Sequence, residues 1–151
     1  MMNLKQRVQL IVQKATILKD TYKIGKHIPV NYACIFSQSQ QEYDDLLKEA
    51  HKMGKVVKET PTGFLFHIKP LETISGVLKL LKIRIPDKTR PELGDADFTV
   101  LGYEEFKQKV LGRKEFTLIP REGFEMIELM DPKFDVRVYF SNPPVGVVLG
   151  I

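Results

Sequence analysis

The spacing of apolar residues changes along the chain and predicts where helices and strands alternate. In residues 4–20 apolar side chains recur every three or four positions, which predicts an amphipathic helix, and Asn3 is suited to cap its first turn. Residues 30–36 are almost continuously apolar, which predicts a strand that is covered on both of its faces. A Ser-x-x-Glu capping pattern then precedes a second helix, which we expect to end near Met53.

The same order of elements recurs in the second part of the chain. The predicted strands after the second helix span residues 55–59, 64–69, 81–85, 96–101, 115–119, 124–130 and 135–141, and a third helix spans residues 103–111. Each half therefore contains a strand, a helix and three further strands. The turns agree as well, because a Gly-Phe pair opens the third strand of each half and a proline follows that strand.

The repeat predicts how the chain buries its apolar surface. One βαβββ unit leaves one face of its sheet open, so two units must pair to bury it. We therefore predict an α+β fold in which two βαβββ modules form a curved mixed sheet, preceded by an N-terminal helix. We expect a single domain over residues 1–151, divided into an N-terminal helix and linker (1–27), a first module (28–86), a connection (87–94), a second module (95–141) and a tail (142–151).

This arrangement resembles the vicinal oxygen chelate superfamily, to which glyoxalases, bleomycin-resistance proteins and extradiol dioxygenases belong. The resemblance covers roughly residues 28–141 and includes two local phrases. Residues 102–107 (GYEEFK) follow a predicted strand, and residues 123–129 (GFEMIEL) are followed by an Asp-Pro pair. The resemblance implies a ligand cup between the two modules. The alternative fold is a four-stranded ferredoxin-like sheet with an added hairpin.

The resemblance also implies where a metal would be held. In metal-dependent members of the superfamily, His, Glu and sometimes Gln ligands lie near the start of the first strand and on the fourth strand of each module. The corresponding positions here are His27 or Asn31, Lys82 or Arg84, Asp95 or Asp97, and Arg137 or Tyr139. Because arginine and lysine cannot ligate a metal, we expect a binding member of the superfamily with no metal and no other cofactor. The alternative is a metal-dependent lyase or isomerase of glyoxalase type that uses His27, His67, Asp97 and Glu128.

Composition adds a mild positive charge without the signature of a particular macromolecular partner. Lys and Arg outnumber Asp and Glu by 23 to 19, which suits the attraction of anions and does not favour nucleic acid. No apolar run approaches the ~20 residues of a membrane helix, and polar residues interrupt the N-terminal apolar run, which argues against a signal peptide. The single Cys34 fits a reducing compartment, so we expect a cytoplasmic protein that does not associate with membranes. Modules of this kind pair within one chain or between two, so a homodimer is an alternative arrangement.

Two arginines on the last strand of each half are the first candidate binding residues. Arg84 and Arg137 alternate with apolar neighbours, so both side chains are predicted to point into the cup. The planar guanidinium fork suits a carboxylate or a phosphate, and two convergent arginines would form an anion site. The alternative is that both arginines are solvated or paired with nearby acids.

Four further side chains complete the predicted ligand-binding set. Asp97 begins a strand close to other acids, where a carboxyl group is a candidate acid or base. Glu128 has the strand parity of two methionines, and an acid on that face is a candidate anchoring group or a partner for Arg137. Tyr139 and His67 are the other two members. We expect the cup to be lined by Tyr32, Phe66, Met126 and Tyr139, or by their neighbours of opposite parity.

These residues predict a protein that binds a small anionic organic ligand in the cup without a metal, and no residue is assigned to a catalytic step. A second alternative is a nucleic-acid or protein-interaction module, which the basic N-terminal helix suggests. The charged stretch 84–98 divides accordingly: Arg84 and Asp97 at its ends are expected to touch the cup, whereas Lys88 and Glu92 in its middle are expected to contribute little.

Overall fold

The computed structural model describes residues 2–25 and 27–151, so that Met1 and Lys26 lie outside the described residues. The helices and strands follow one another in the predicted order, with one further helix in the tail. They are α1 (Leu4–Thr21), β1 (Val30–Phe36), α2 (Gln40–Met53), β2 (Gly54–Thr60), β3 (Gly63–Thr73), β4 (Gly76–Arg84), β5 (Gly94–Phe98), α3 (Tyr103–Val110), β6 (Phe116–Arg121), β7 (Phe124–Leu129), β8 (Val136–Asn142) and α4 (Val145–Leu149).

The strands form a mixed eight-stranded sheet in the order β2-β3-β4-β1-β5-β8-β7-β6. The first strands of the two halves, β1 and β5, lie antiparallel at its centre. Each of them pairs in parallel with the last strand of its own half, β1 with β4 and β5 with β8. The predicted α+β fold with two βαβββ halves in a mixed sheet behind an N-terminal helix is confirmed.

The helix α1 covers the middle of one face of the sheet. Its buried stripe, which includes Val8, Ile11 and Ala15, packs against β1, β5 and β8, so it bridges both halves. The predicted cap is present, because the Asn3 side chain accepts from the Gln6 amide at 2.9 Å and the Gln6 side chain accepts from the Asn3 amide at 3.0 Å. Burial of each such aliphatic side chain contributes about 1.5–3 kcal/mol. Because α1 covers this face, the opposite face of the sheet is available for the cup.

Two details of the first half differ from the sequence prediction. The strand β3 continues through Pro70 to Thr73, where a connection was expected. Proline is tolerated there because β2 pairs only as far as Ile68, so Pro70 lies on a free edge and needs no ladder hydrogen bond on that side. Gly54 ends α2 as expected, but in an extended conformation rather than a left-handed one. A Cβ on Gly54 would lie 2.1 Å from the His67 carbonyl oxygen, so close strand packing is what requires glycine.

The helices in the described part of the chain do not combine the length and apolar character that crossing a membrane takes. The tail was expected to be irregular, yet Val145–Leu149 form the short helix α4. Val145 at its start reaches the rim of the cup.

Candidate functional site

The face of the sheet opposite α1 is concave and encloses a cavity of about 450 Å³. Its floor is formed by the central strands β1, β4, β5 and β8, and its walls by the β2-β3 turn and by β6 and β7. The lining residues are Tyr32, Cys34, Thr60, Pro61, Thr62, Lys82, Arg84, Arg90, Asp95, Asp97, Ile119, Arg121, Phe124, Met126, Tyr139 and Val145. Four of these side chains are cationic and two are carboxyl groups, so the cavity has an excess of positive charge.

The register of the central strands brings the polar residues of the floor into one row. Cys34 on β1 pairs with Lys82 on β4 and with Asp95 on β5, and Asp95 in turn pairs with Arg137 on β8. Side chains two residues further along each strand point to the same face. Residues paired across neighbouring strands also point to the same face, so the side chains of Lys82, Cys34 and Asp95 lie side by side on the floor. The small thiol of Cys34 lies between the amine and the carboxyl group.

The β4 side of the cavity carries two cationic groups with few partners. Arg84 donates from Nη2 to Asp87 at 3.2 Å, while its buried Nε has no hydrogen-bond partner among the described residues. Lys82 donates to the Thr62 hydroxyl and forms no ion pair within residues 2–25 and 27–151. Burial lowers the pKa of Lys82, and the nearby charge of Arg84 acts in the same direction. This side of the cavity therefore offers donors that a bound anion would satisfy.

A third cation comes from the connection between the halves, whose middle was expected to stay away from the cup. That expectation is wrong, because the connection folds back over the end of β1. The Gln38 side chain holds it there by donating to the carbonyls of Arg90 and Glu92, both at 3.1 Å. The Arg90 guanidinium lies over the Phe36 ring at 5.3 Å and donates to the Tyr139 hydroxyl at 3.2 Å. Arg90 thereby lines the cavity above Phe36, the residue of β1 that pairs with Arg84.

Two buried carboxyl groups on β5 face the cavity and differ in their hydrogen bonding. Asp97 accepts from the Ser141 amide at 3.0 Å, from the Ser141 hydroxyl, and from the Asn31 side chain at 3.3 Å. Burial raises its pKa to about 6 against the opposing effect of these bonds. Asp95 is 6% exposed, and its Oδ1 has no partner among the described residues. Burial, followed by the charge of Asp97, raises the pKa of Asp95 to about 7.

The β8 side of the sheet is closed by internal hydrogen bonds. Arg137 donates from Nε to Glu92 at 2.8 Å, from Nη2 to the Thr89 carbonyl at 2.9 Å and from Nη1 to Glu128 at 3.5 Å. Tyr139 donates to Glu128 at 2.5 Å. The structure thus joins the predicted residues Arg137, Glu128 and Tyr139 in one network, in which Arg137 and Glu128 bind each other and only Tyr139 lines the cavity. Glu92, expected to contribute little, is the closest ion-pair partner of Arg137.

The remaining predicted residues divide between the cavity and other surfaces. Tyr32 and Met126 line the cavity as expected. Phe66 does not, because it pairs with Leu81 on the face that the helices cover and is fully buried there. His67 lies in a separate groove at the end of α2, next to Lys55.

The residues that the superfamily resemblance would assign to a metal do not fit a divalent cation. His27 lies beside α1, in a groove with Thr16 and Asp20, far in the fold from the cup. The β4 positions are Lys82 and Arg84, neither of which ligates a metal. Across residues 2–25 and 27–151, no three His, Cys, Asp or Glu side chains come together closely enough to hold a metal ion.

The ligand-binding set predicted from the sequence lacks four charged residues that line the cavity: Lys82, Arg90, Asp95 and Arg121. Lys82 has the strand parity of Arg84, and Asp95 has that of Asp97, so period-2 alternation carried a signal for both. Arg90 lies in a loop without periodicity, and only the folded connection shows where its side chain goes.

No protein-family model and no curated protein sequence matches this chain. Among solved structures, "Structural Genomics, Protein EC4020" is similar over 99% of this chain and 97% of its own, with a TM-score of 0.66 and 9% sequence identity. A glyoxalase/bleomycin resistance protein/dioxygenase superfamily member from Vibrio splendidus 12B01 aligns with 76% of this chain and 97% of its own, at a TM-score of 0.45 and 12% identity. The first likeness shows that the fold extends over the whole length of another protein, and it shows the fold alone.

Proposed function

We propose that this protein binds a small organic anion in the cup between its two halves, without a metal, as a member of the vicinal oxygen chelate architecture. The order of the eight strands, with the halves joined through β1 and β5, supports the proposed architecture. The cavity volume of about 450 Å³ lies in the range of small-molecule sites.

One observation carries the proposal: cationic side chains that line the cavity keep hydrogen-bonding capacity that the described residues do not use. The buried Nε of Arg84 lacks a partner among the described residues, and Lys82 lacks a carboxylate partner there. Leaving a buried donor unpaired costs about 1–3 kcal/mol. A carboxylate or phosphate of the ligand would recover that free energy, because charge-assisted hydrogen bonds to an anion are about twice as strong as neutral ones.

The proposal assigns different tasks to the predicted residues. Arg84 keeps the role of principal anchor, and Lys82 and Arg90 join it around the same space. Arg137 supports the site indirectly. Its bonds to Glu92 and Glu128 fix the side chains that support the cavity wall. Asp97 and Tyr139 line the cavity, and Glu128 accepts from the Tyr139 hydroxyl and so fixes its position.

Titration calorimetry with citrate, inorganic phosphate and 2-oxoglutarate tests the proposal. We expect at least one of these anions to bind, and Arg84→Gln to weaken that binding tenfold or more. Lys88→Gln is the matched control, because Lys88 is an exposed cation in the connection that follows β4 and does not line the cavity. Equal weakening in the two variants would mean that the anions sense only net charge, and the proposed site would be abandoned.

A further inference from the structure

The amine of Lys82 has an environment that suits a nucleophile better than a simple counter-ion. The side chain is half-buried and lines the cavity, and its Nζ donates to the Thr62 hydroxyl rather than to a carboxylate. Desolvation, with the charges of Arg84 and Arg90, lowers its pKa against the opposing charge of Asp95, so a larger share of the amine is neutral near pH 7 than for an exposed lysine. A lysine that is desolvated beside other cations is one of the known ways to activate an amine for attack on a carbonyl.

We propose that Lys82 forms a Schiff base with an oxo acid, a ligand that carries both a carboxylate and an aldehyde or ketone group, held in this cup. The inference rests on the proposed function and deepens it, because it names the class of anion and adds a covalent step.

The spacing of the cationic groups matches the two functional groups of such a ligand. Lys82 and Arg84 are two residues apart on β4 and point to the same face, so their Cα atoms lie roughly 6.6–7 Å apart. A carboxylate held by Arg84 and Arg90 would place a carbonyl on the same short molecule within reach of the Lys82 Nζ. The small Cys34 side chain beside Lys82 leaves space above the floor for that carbonyl.

Cys34 itself does not compete for the carbonyl. Its side chain is buried, and burial raises the pKa of the thiol, so the thiol keeps its proton at neutral pH.

Asp95 is the group that would move protons during the reaction. It lies on the far side of Cys34 from Lys82 in the same row and lines the cavity, and its buried Oδ1 has no hydrogen-bond partner among the described residues. At two strand spacings, about 9–10 Å between Cα atoms, a lysine side chain and an aspartate reach the same small molecule. A carboxyl group with a pKa of about 7 is present in both protonation states at neutral pH, which is the condition for general acid and base catalysis.

The covalent step is balanced without any further reactant. The lone pair of the neutral Lys82 amine attacks the carbonyl carbon and forms a C–N bond, while the carbonyl π pair moves to oxygen. One proton passes from nitrogen to that oxygen, which yields a carbinolamine. The carboxyl group of Asp95 then protonates the hydroxyl, which leaves as water while the nitrogen lone pair forms the C=N bond. The products are a protonated imine on Lys82, one water molecule and the Asp95 carboxylate.

Borohydride trapping tests the inference on the intact protein. The protein is incubated with glyoxylate, pyruvate or 2-oxoglutarate, reduced with cyanoborohydride, and the adducts are located by mass spectrometry of peptides. We expect at least one oxo acid to label Lys82 at least tenfold faster than any other lysine. Lys79→Arg is the matched control, because Lys79 is an exposed lysine of the same strand and its loss should leave the labelling unchanged.

Two variants separate the covalent step from anion binding and from folding. Lys82→Arg keeps a positive charge in the cavity, so we expect it to abolish trapping while calorimetry still detects the oxo acid. Asp95→Asn should slow trapping about tenfold or more at pH 7 and reduce the dependence of the trapping rate on pH. Binding of an oxo acid without preferential labelling of Lys82 would overturn this inference and leave the proposed function standing. Failure to bind any of the tested anions would count against both.

Discussion

The two halves of the sheet use their cationic residues in different ways. On β8, Arg137 donates three of its five N–H groups to Glu92, Glu128 and the Thr89 carbonyl, and it does not line the cavity. On β4, Arg84 forms an ion pair with the partly exposed Asp87, and its buried Nε has no hydrogen-bond partner among the described residues. Polar networks that are complete contribute stability and rigidity, whereas unused donors next to a cavity are groups that a ligand satisfies. We call the β8 side, with Arg137, Glu92 and Glu128, the structural wall, and the β4 side, with Arg84 and Lys82, the receptive wall, because we propose that the ligand binds there.

The largest effect in this comparison is expected from breaking the complete network. Arg137→Met leaves two acids, Glu92 and Glu128, without their buried cation, and removal of one partner from a buried ion pair costs about 3–5 kcal/mol. Urea unfolding at pH 7 measures this loss. A loss below about 1 kcal/mol would show that the β8 network is not the structural wall that its hydrogen bonds suggest.

The two acids of β5 are expected to give the next largest effect, which depends on pH. The pKa of Asp95 is raised from the ordinary 3.8 to about 7 by burial. Between about pH 4 and pH 7 the folded state therefore keeps a proton that the unfolded state has lost, so the free energy of unfolding decreases as pH rises through this range. Above pH 7 the penalty is constant. We expect Asp95→Asn to stabilise the protein by roughly 1–3 kcal/mol at pH 8 and by much less at pH 4.5, in urea titrations at both pH values.

Asp97 provides the contrast on the same strand. Its carboxylate accepts hydrogen bonds from Ser141 and Asn31, so Asp97→Asn replaces an acceptor oxygen by a donor and should destabilise at both pH values. Stabilisation at pH 8 by Asp97→Asn as large as that by Asp95→Asn would contradict the difference in their hydrogen bonding.

The connection between the halves allows a test of similar size with a control variant from the same segment. Glu92→Gln weakens the charge-assisted bond to Arg137 and should cost about 1.5–3 kcal/mol of stability. Lys88→Gln changes an exposed residue of the same connection. Its free energy of unfolding should stay within about 0.5 kcal/mol of that of the original chain. Thermal unfolding of the two variants side by side is sufficient, and equal behaviour would mean that the connection is an ordinary loop throughout.

The smallest effect is expected on the receptive wall. Lys82→Met removes a half-buried charge that has no carboxylate partner among the described residues, so stability should change by less than about 1 kcal/mol or increase. The matching Arg137→Met substitution on β8 should destabilise strongly. If the lysine variant unfolded as easily as the arginine variant, Lys82 would belong to the structural framework and the contrast between the walls would be lost.

The sequence allowed the fold to be predicted where the pattern is local. The strand β1 occupies the predicted residues 30–36, and α1 differs from its predicted span by one residue at its end. The face of β3 was ambiguous, because both of its faces carry apolar side chains, and pairing of Phe66 with Leu81 decides it. That pairing is a long-range contact, which alternation within one strand does not report.

The candidate site was less predictable for the same physical reason. Arg84 was identified because its position in an alternating strand is visible locally. The partners of Arg137 come from the connection and from β7, and Arg90 depends on a loop that folds over Phe36. Which arginine remains available to a ligand is decided by these tertiary hydrogen bonds, and both arginines have similar sequence surroundings.

A crystal structure of the protein grown with 2-oxoglutarate or citrate tests the central claim most directly. We expect electron density for the anion in the cup, with a carboxylate at hydrogen-bond distance from Arg84 and from Lys82 or Arg90. An anion bound against the basic face of α1, with the cup empty at a saturating concentration, would contradict it.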